Sequence, residues 1–323
     1  VTKTIRLSAG TAAVAGLTRM RLAEAPTTAY IMVGEVCSAK CGFCPQSKCA
    51  TSGPGLLSRV NWPKFTVSQA VAALAGAVAD RRFERICIQV VQSDHSSDLC
   101  QELVRDLRAS VAAPVAVSAA PADIDSAVSW LQAGADRIGL PLDAACERVY
   151  AEVKQASWSR SLAVIEEAAN RFPGRVSTHL IVGLGETEEE AIAFLELMAK
   201  YGVTVGLFAF TPVKGTPLAS QASPAVEVYR RVQVARFLID KKFPGVKFAF
   251  SEGRLTGWGV HESTLKQLLA DGEAFRTSGC AACNRPYYNE RPRGVMFNYP
   301  RPLRSHEAVA CIEAALGMTP ERG

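Results

Sequence analysis

The sequence has no apolar stretch approaching the roughly 20 residues that a membrane-spanning helix needs, so no span is expected. It has no run of like charge either. Lys and Arg alternate with acids in stretches such as QELVRDLR, and the net charge is only +5, which gives nucleic-acid binding no support. Linkers and internal repeats are missing, and the 24 Gly and 17 Pro are scattered through the 323 residues. That composition excludes collagen-like and disordered classes and leaves a globular protein able to bury a substantial core. The opening TKTIRLSAGTAAVAGL has a short apolar part broken by Ser, Gly and Thr. It is not read as a secretory signal, and the expected location is the cytoplasm.

What the chain does have is cysteine. There are ten, and four of them fall within EVCSAKCGFCPQSKC, residues 35–49. A secreted disulfide scaffold would be far shorter and richer in loops; in a cytoplasmic protein of this size, clustered thiols point to metal. Cys37, Cys41 and Cys44 have the spacing C-x3-C-x2-C. A zinc site usually wants four protein ligands as two paired knuckles, whereas three thiolates on one tight loop suit an iron–sulfur cubane with one iron left open. Phe43 adds a flat apolar surface beside them.

The rest of the chain alternates β-rich apolar runs with amphipathic helical ones. The strand candidates are TAYIMV (28–33), RICIQVV (85–91), PVAVSA (114–119), RIGLPL (137–142), VSTHLIVG (176–183), VGLFAF (205–210), VKFAFS (246–251) and GVMFNY (294–299). Helix-like stretches such as TVSQAVAALAGAVAD, WSRSLAVIEEAANRF and TEEEAIAFLELMAKYG lie between them, several opening on a capping Ser, Thr or Asp. Eight alternations predict an α/β fold of the (β/α)8 TIM-type barrel class. Residues 1–26 are expected as an N-terminal extension, 27–299 as the barrel with a C-x2-C loop near 280–292, and 300–323 as a C-terminal helix. The four cysteines begin where the first strand ends, the end at which a barrel gathers its chemistry.

The motif C-x3-C-x-aromatic-C after a first barrel strand resembles the radical S-adenosylmethionine superfamily. The resemblance implies a [4Fe-4S] cluster on Cys37, Cys41 and Cys44. Its open iron chelates S-adenosylmethionine, and one electron splits the sulfonium to give a 5′-deoxyadenosyl radical, chemistry no side chain supplies unaided. HLIVGLGETEEE (179–190) resembles the family's fifth-strand segment, which implies that Ile181 packs on adenine and that Gly183, Gly185 and Glu186 form the turn. A G-x-G turn opening an acid-rich helix is also common in other α/β proteins. Asp143, in GLPLDAACERVY, stands where relatives place an Asp near the nucleoside; it could equally cap the following helix. By the two-residue strand period His179 shares a face with Ser177 and Ile181, where it would touch the cofactor or substrate, or be a hydrogen-bonded barrel histidine. No acid or base side chain is implied as catalytic.

The stretches CGFCPQS, RICI, IVGLGET, VKGTPL and SEGR recur in this order in the biotin synthase branch. That enzyme holds a second, sacrificial cluster on three cysteines and an arginine of strands two, three, five and seven. Here Cys87 alone keeps such a position; Ser177 and Ala249 stand at two of the others. Pro141 and Phe208 replace polar recognition of a ureido ring with apolar walls suited to an alkyl chain. Near the C-terminus, SGCAACNRPYYNERPRG carries a second knuckle, Cys280 and Cys283, with Arg285 and Arg291 at hand to balance an anionic cluster. Cys49 is the candidate third ligand and Cys87 the reserve. Cys100, Cys146 and Cys311 sit on helical patterns as packing residues.

A barrel of this kind with a C-x2-C-N-R-P motif is most similar to a subunit of two-component lipoyl synthases. The single-chain form carries a cysteine triplet before the radical motif, and no cysteine precedes Cys37 in this sequence. The resemblance implies sulfur insertion at C6 or C8 of an octanoyl chain on a lipoyl carrier protein, with an auxiliary iron–sulfur cluster as sulfur donor. It also implies a sister radical subunit and an electron donor such as ferredoxin. Arg285, Arg291, Arg293 and Lys214 are expected on the rim, facing an acidic carrier. The alternatives are a biotin synthase with a rebuilt auxiliary cluster and a non-catalytic iron–sulfur scaffold.

Overall fold

The computed structural model describes residues 3–120, 123–290 and 294–317. In chain order its strands are β1 Thr4–Leu7, β2 Thr28–Val33, β3 Leu56–Leu57, β4 Val60–Asn61, β5 Lys64–Thr66, β6 Arg85–Val90, β7 Val115–Ser118, β8 Arg137–Gly139, β9 Val176–Val182, β10 Thr204–Ala209, β11 Ala249–Ser251 and β12 Arg254–Gly257. Eight of them form one sheet in the order β10-β9-β8-β7-β6-β2-β1-β5. The run from β2 through β6 to β10 is parallel throughout.

The parallel strands are covered on both faces, and TAYIMV in β2 is buried at every position. Outside them lie helices whose apolar stripes have the spacing that one-sided burial requires. Helix Ser96–Ser110, for example, buries Cys100, Leu103, Val104 and Leu107. Capping boxes start two helices where the sequence places them, Thr66 with Gln69 and Thr187 with Glu190.

The α/β fold and the eight-stranded sheet are as expected, but two of the eight strands are not those read from the sequence. β1 pairs antiparallel with β2, and β5 antiparallel with β1, so part of the segment set apart as an extension is a strand of the sheet, next to the edge strand β5. VKFAFS does not enter the sheet. β11 folds back on β12 in a hairpin whose turn residues, Glu252 and Gly253, have φ of 49° and 76°. Both are left-handed, as a tight two-residue hairpin turn needs.

GVMFNY forms no strand; Tyr299 makes a single bridge to Arg276. Side chains take the place of a neighbouring strand there. The Phe297 carbonyl accepts from Arg230 at 2.6 Å and Gln233 at 3.0 Å, and the Asn298 N–H donates to Glu290 at 2.8 Å. Helix Ser305–Leu316 then packs on helix Val226–Asp240 around Phe237, Leu238, Cys311 and Ile312. Among the described residues no helix is long and apolar enough to cross a membrane.

Candidate functional site

The thiol loop leaves β2 at Gly34, whose φ is 100° and where an added Cβ would lie 2.8 Å from the Val91 carbonyl oxygen. Only glycine turns the chain there. The loop is then fastened to two other strand-to-helix connections and to the last turn of helix Glu147–Lys154. Ser38 N–H donates to Gln92 O at 2.7 Å, Gly42 N–H to Val153 O at 2.7 Å and Thr51 N–H to Gly215 O at 2.8 Å. The Gln46 amide donates to Pro54 O at 2.9 Å and Leu56 O at 2.5 Å. Cys37, Cys41, Phe43 and Cys44 are thereby presented to one cavity of about 570 Å³ that runs from the strand ends into the barrel.

Beside the loop lies a buried charge cluster. Asp143, at φ 68°, accepts from Lys154 Nζ at 2.8 Å, and His179 Nδ1 is 3.7 Å from its other oxygen. Burial alone would raise the Asp143 pKa, but the Lys154 ammonium and the His179 contact outweigh it and hold the carboxyl at about 2. Burial would lower Lys154, and Asp143 with Cys41 instead pushes it up to about 12. Both groups are therefore ionised at neutral pH. Lys154 was missed in the sequence, although a signal was there. It stands on the buried stripe of helix Glu147–Lys154, beside Val149, Tyr150 and Val153, where a lysine needs an anion.

Ile181 and His179 line the cavity as expected, and Pro141 and Phe208 form part of its wall. Gly183, Gly185 and Glu186 do not line it. Glu186 is spent on the turn itself: its carboxylate accepts from Gly183 N–H at 2.6 Å and Leu184 N–H at 3.0 Å.

Deeper in the same cavity are Cys87, Cys280 and Cys283, with Arg285. Cys49, the expected partner of the C-x2-C pair, is exposed and does not line the cavity. Arg285 is not on the rim either; it is half-buried, with its guanidinium stacked on the Phe208 ring 3.9 Å from the centroid. Arg291 and Arg293 lie outside the described residues. Cys100 and Cys311 are buried packing residues, and the Cys146 thiol donates to Glu190 at 3.2 Å.

The profile of the Radical SAM superfamily matches residues 31–198, just over half of the chain. The chain belongs to the radical SAM superfamily. It is 27% identical to a lipoyl synthase of Chlamydia muridarum over 70% of this chain and 73% of that protein. It is 28% identical to a biotin synthase of Beijerinckia indica over 68% of this chain and 67% of that protein. In structure it resembles the FeFe-hydrogenase maturase of Carboxydothermus hydrogenoformans, with TM-score 0.53 and 18% identity, over 68% of this chain and 52% of that one. A methylornithine synthase matches with TM-score 0.51 and 17% identity, over 65% of this chain and 62% of that one. The chain thus spans about half to three fifths of these structural relatives, and the likeness concerns the fold.

For a radical SAM protein the family implies a [4Fe-4S] cluster and S-adenosylmethionine, and the donor set fits. All three motif cysteines are free. Burial pushes the Cys41 thiol up to about 11 and Cys44 up to about 12, so at neutral pH they become thiolates only against a metal. All three cysteines line the same cavity, where a cluster bound to them would meet the cofactor.

Proposed function

We propose that this radical SAM protein inserts sulfur at an unactivated carbon, and that its substrate is an octanoyl chain carried on a lysine of a lipoyl carrier protein. The observation that carries the reading is that one cavity joins the motif thiols at the strand ends to a second thiol set below, with apolar wall between. A substrate carbon lying between them is within reach of both. When bound, a cluster with S-adenosylmethionine on the motif thiols would supply hydrogen abstraction at carbon, and a cluster on the second thiol set would supply the sulfide that replaces the hydrogen and accept the electron released when the C–S bond forms.

The chain's own residues hold and orient. Cys37, Cys41 and Cys44 hold the first cluster, and Phe43 and Ile181 offer apolar surface to the cofactor beside it. Asp143, His179 and Lys154 give the cavity a fixed polar end. Phe208, Pro141, Met32 and Val91 exclude water and suit an alkyl chain better than a polar ring. The matched relatives named lipoyl synthase and biotin synthase support sulfur chemistry, at 24–28% identity.

Lys40, Lys48 and Lys214 are exposed on loops at the strand ends. They are the cations an acidic carrier would meet, in place of Arg285. A sister radical subunit and a ferredoxin-type electron donor complete the proposed system. Product analysis with dethiobiotin against an octanoylated carrier tests the reading. Sulfur on the carrier supports it, biotin assigns the biotin synthase activity instead, and failure to cleave S-adenosylmethionine with either leaves a non-catalytic scaffold.

A further inference from the structure

We propose that Cys87, Cys280 and Cys283 hold a second iron–sulfur cluster at the floor of the barrel, with Arg285 as its counter-cation and without Cys49. The ligand set stands on geometry; only the use of the cluster as a sulfur source rests on the sulfur-insertion reading above.

The loop that carries the C-x2-C pair closes the barrel from below. Asn284 accepts from Thr27 N–H at 3.0 Å and donates to Ala25 O at 2.9 Å, while Arg85 donates to Ala281 O at 2.7 Å. Thr27 precedes β2 and Arg85 begins β6, so Cys280 and Cys283 lie at the strand starts. Tyr30 and Cys87 are register partners on these neighbouring parallel strands. Both line the cavity, and the Cys283 thiol is 3.1 Å from the Tyr30 hydroxyl. Cys87 and Cys283 pack against the same cluster with Tyr30 and Met32, and Cys280 lines the same cavity. Counting about 3.3 Å per residue, three residues from Cys87 to the end of β6 put this set roughly 10 Å below the motif loop.

Two independent features mark this loop as a site. The first is Arg285. Its guanidinium is pinned by Ser278 O at 2.6 Å and Leu207 O at 3.4 Å and stacked on Phe208. The Cys280 and Cys283 thiols and the Tyr30 hydroxyl line the same cavity, and Glu290, whose carboxylate accepts from the Asn298 and Asn289 N–H groups, makes no ion pair with Arg285 among the described residues. A half-buried guanidinium facing a cavity favours a negative partner there, and three thiolates with an iron–sulfur core supply one. The second is backbone strain. Ala282, Arg285 and Tyr287 have φ of 61°, 34° and 57° within six residues. Non-glycine residues in this region cost about 1–3 kcal/mol each and cluster where a ligand or site holds them.

The test removes the first cluster by replacing Cys37, Cys41 and Cys44 with Ala, reconstitutes the chain anaerobically with iron and sulfide, and reads iron, sulfide and the EPR spectrum of the reduced protein. About one cluster per chain should remain. Adding Cys49→Ala should change nothing. Adding Cys87→Ala or Cys283→Ala should remove most of the iron, with circular dichroism confirming that the chain is folded and Cys87→Ser serving as the milder second variant. Arg285→Met should move the cluster's reduction potential downward, and Arg285→Lys should restore most of the shift. Full iron and an unchanged spectrum in Cys87→Ala, loss of the cluster in Cys49→Ala, or saturation by zinc with no sulfide retained would each overturn the proposal. A cluster with this ligand set that yields no sulfur on the carrier would refute the sulfur-insertion reading and leave the site standing.

Discussion

Lys154 places its ammonium 2.8 Å from the carboxylate of Asp143, and both side chains are buried in the cavity wall beside the motif loop. Removing one partner leaves the other charged and unpaired, which typically costs about 3–5 kcal/mol. Lys154→Met should therefore lower the stability of the metal-free chain by that order in chemical denaturation.

The same pair sets a pH window. Asp143 contributes stability that is complete above the ordinary carboxylate pKa and is lost as the pH falls through about 2. Lys154 contributes stability that is complete below the ordinary lysine pKa and is lost as the pH rises through about 12. Stability of the metal-free chain, followed from pH 5 down to pH 2, should have an acid limb that Lys154→Met flattens. An identical limb in the variant would separate the two residues.

Gly34 turns the chain from β2 into the thiol loop at φ 100°, with no space for a Cβ beside Val91. Gly34→Ala should destabilise the chain by about 1–3 kcal/mol. It should also lower iron incorporation at the first cluster, read as iron per chain after reconstitution. Unchanged iron would mean that the loop's position does not depend on this turn.

Six strands and their intervening helices were legible because each parallel strand is a short apolar run between capped amphipathic helices. The last two strands were not. VKFAFS has strand composition, yet the Glu252–Gly253 turn folds it onto its own neighbour. GVMFNY buries only Phe297 and Asn298, and Arg230, Gln233 and Glu290 satisfy the backbone there. The motif cysteines were legible because all three lie on one loop. The choice between Cys49 and Cys87 was not, because Cys49 is near the motif in sequence while Cys87 is near Cys283 only once the C-terminal loop closes the barrel floor. Arg285 was misplaced on the rim for the same reason.

An alkyl chain in an apolar cavity gains about 0.8 kcal/mol per methylene buried. A hexanoyl carrier, two methylenes shorter, should bind roughly fifteen-fold more weakly than the octanoyl carrier. Equal affinity would place the chain outside the cavity.

The most direct measurement reconstitutes the protein with heavy-isotope sulfide and weighs an octanoyl-lysyl carrier peptide after a single anaerobic turnover, with and without a sister subunit. The account predicts that the peptide gains sulfur carrying the heavy label, and that Cys283→Ala abolishes the gain while S-adenosylmethionine is still cleaved. Cleavage of S-adenosylmethionine with a peptide of unchanged mass, in the presence of the sister subunit, would contradict it.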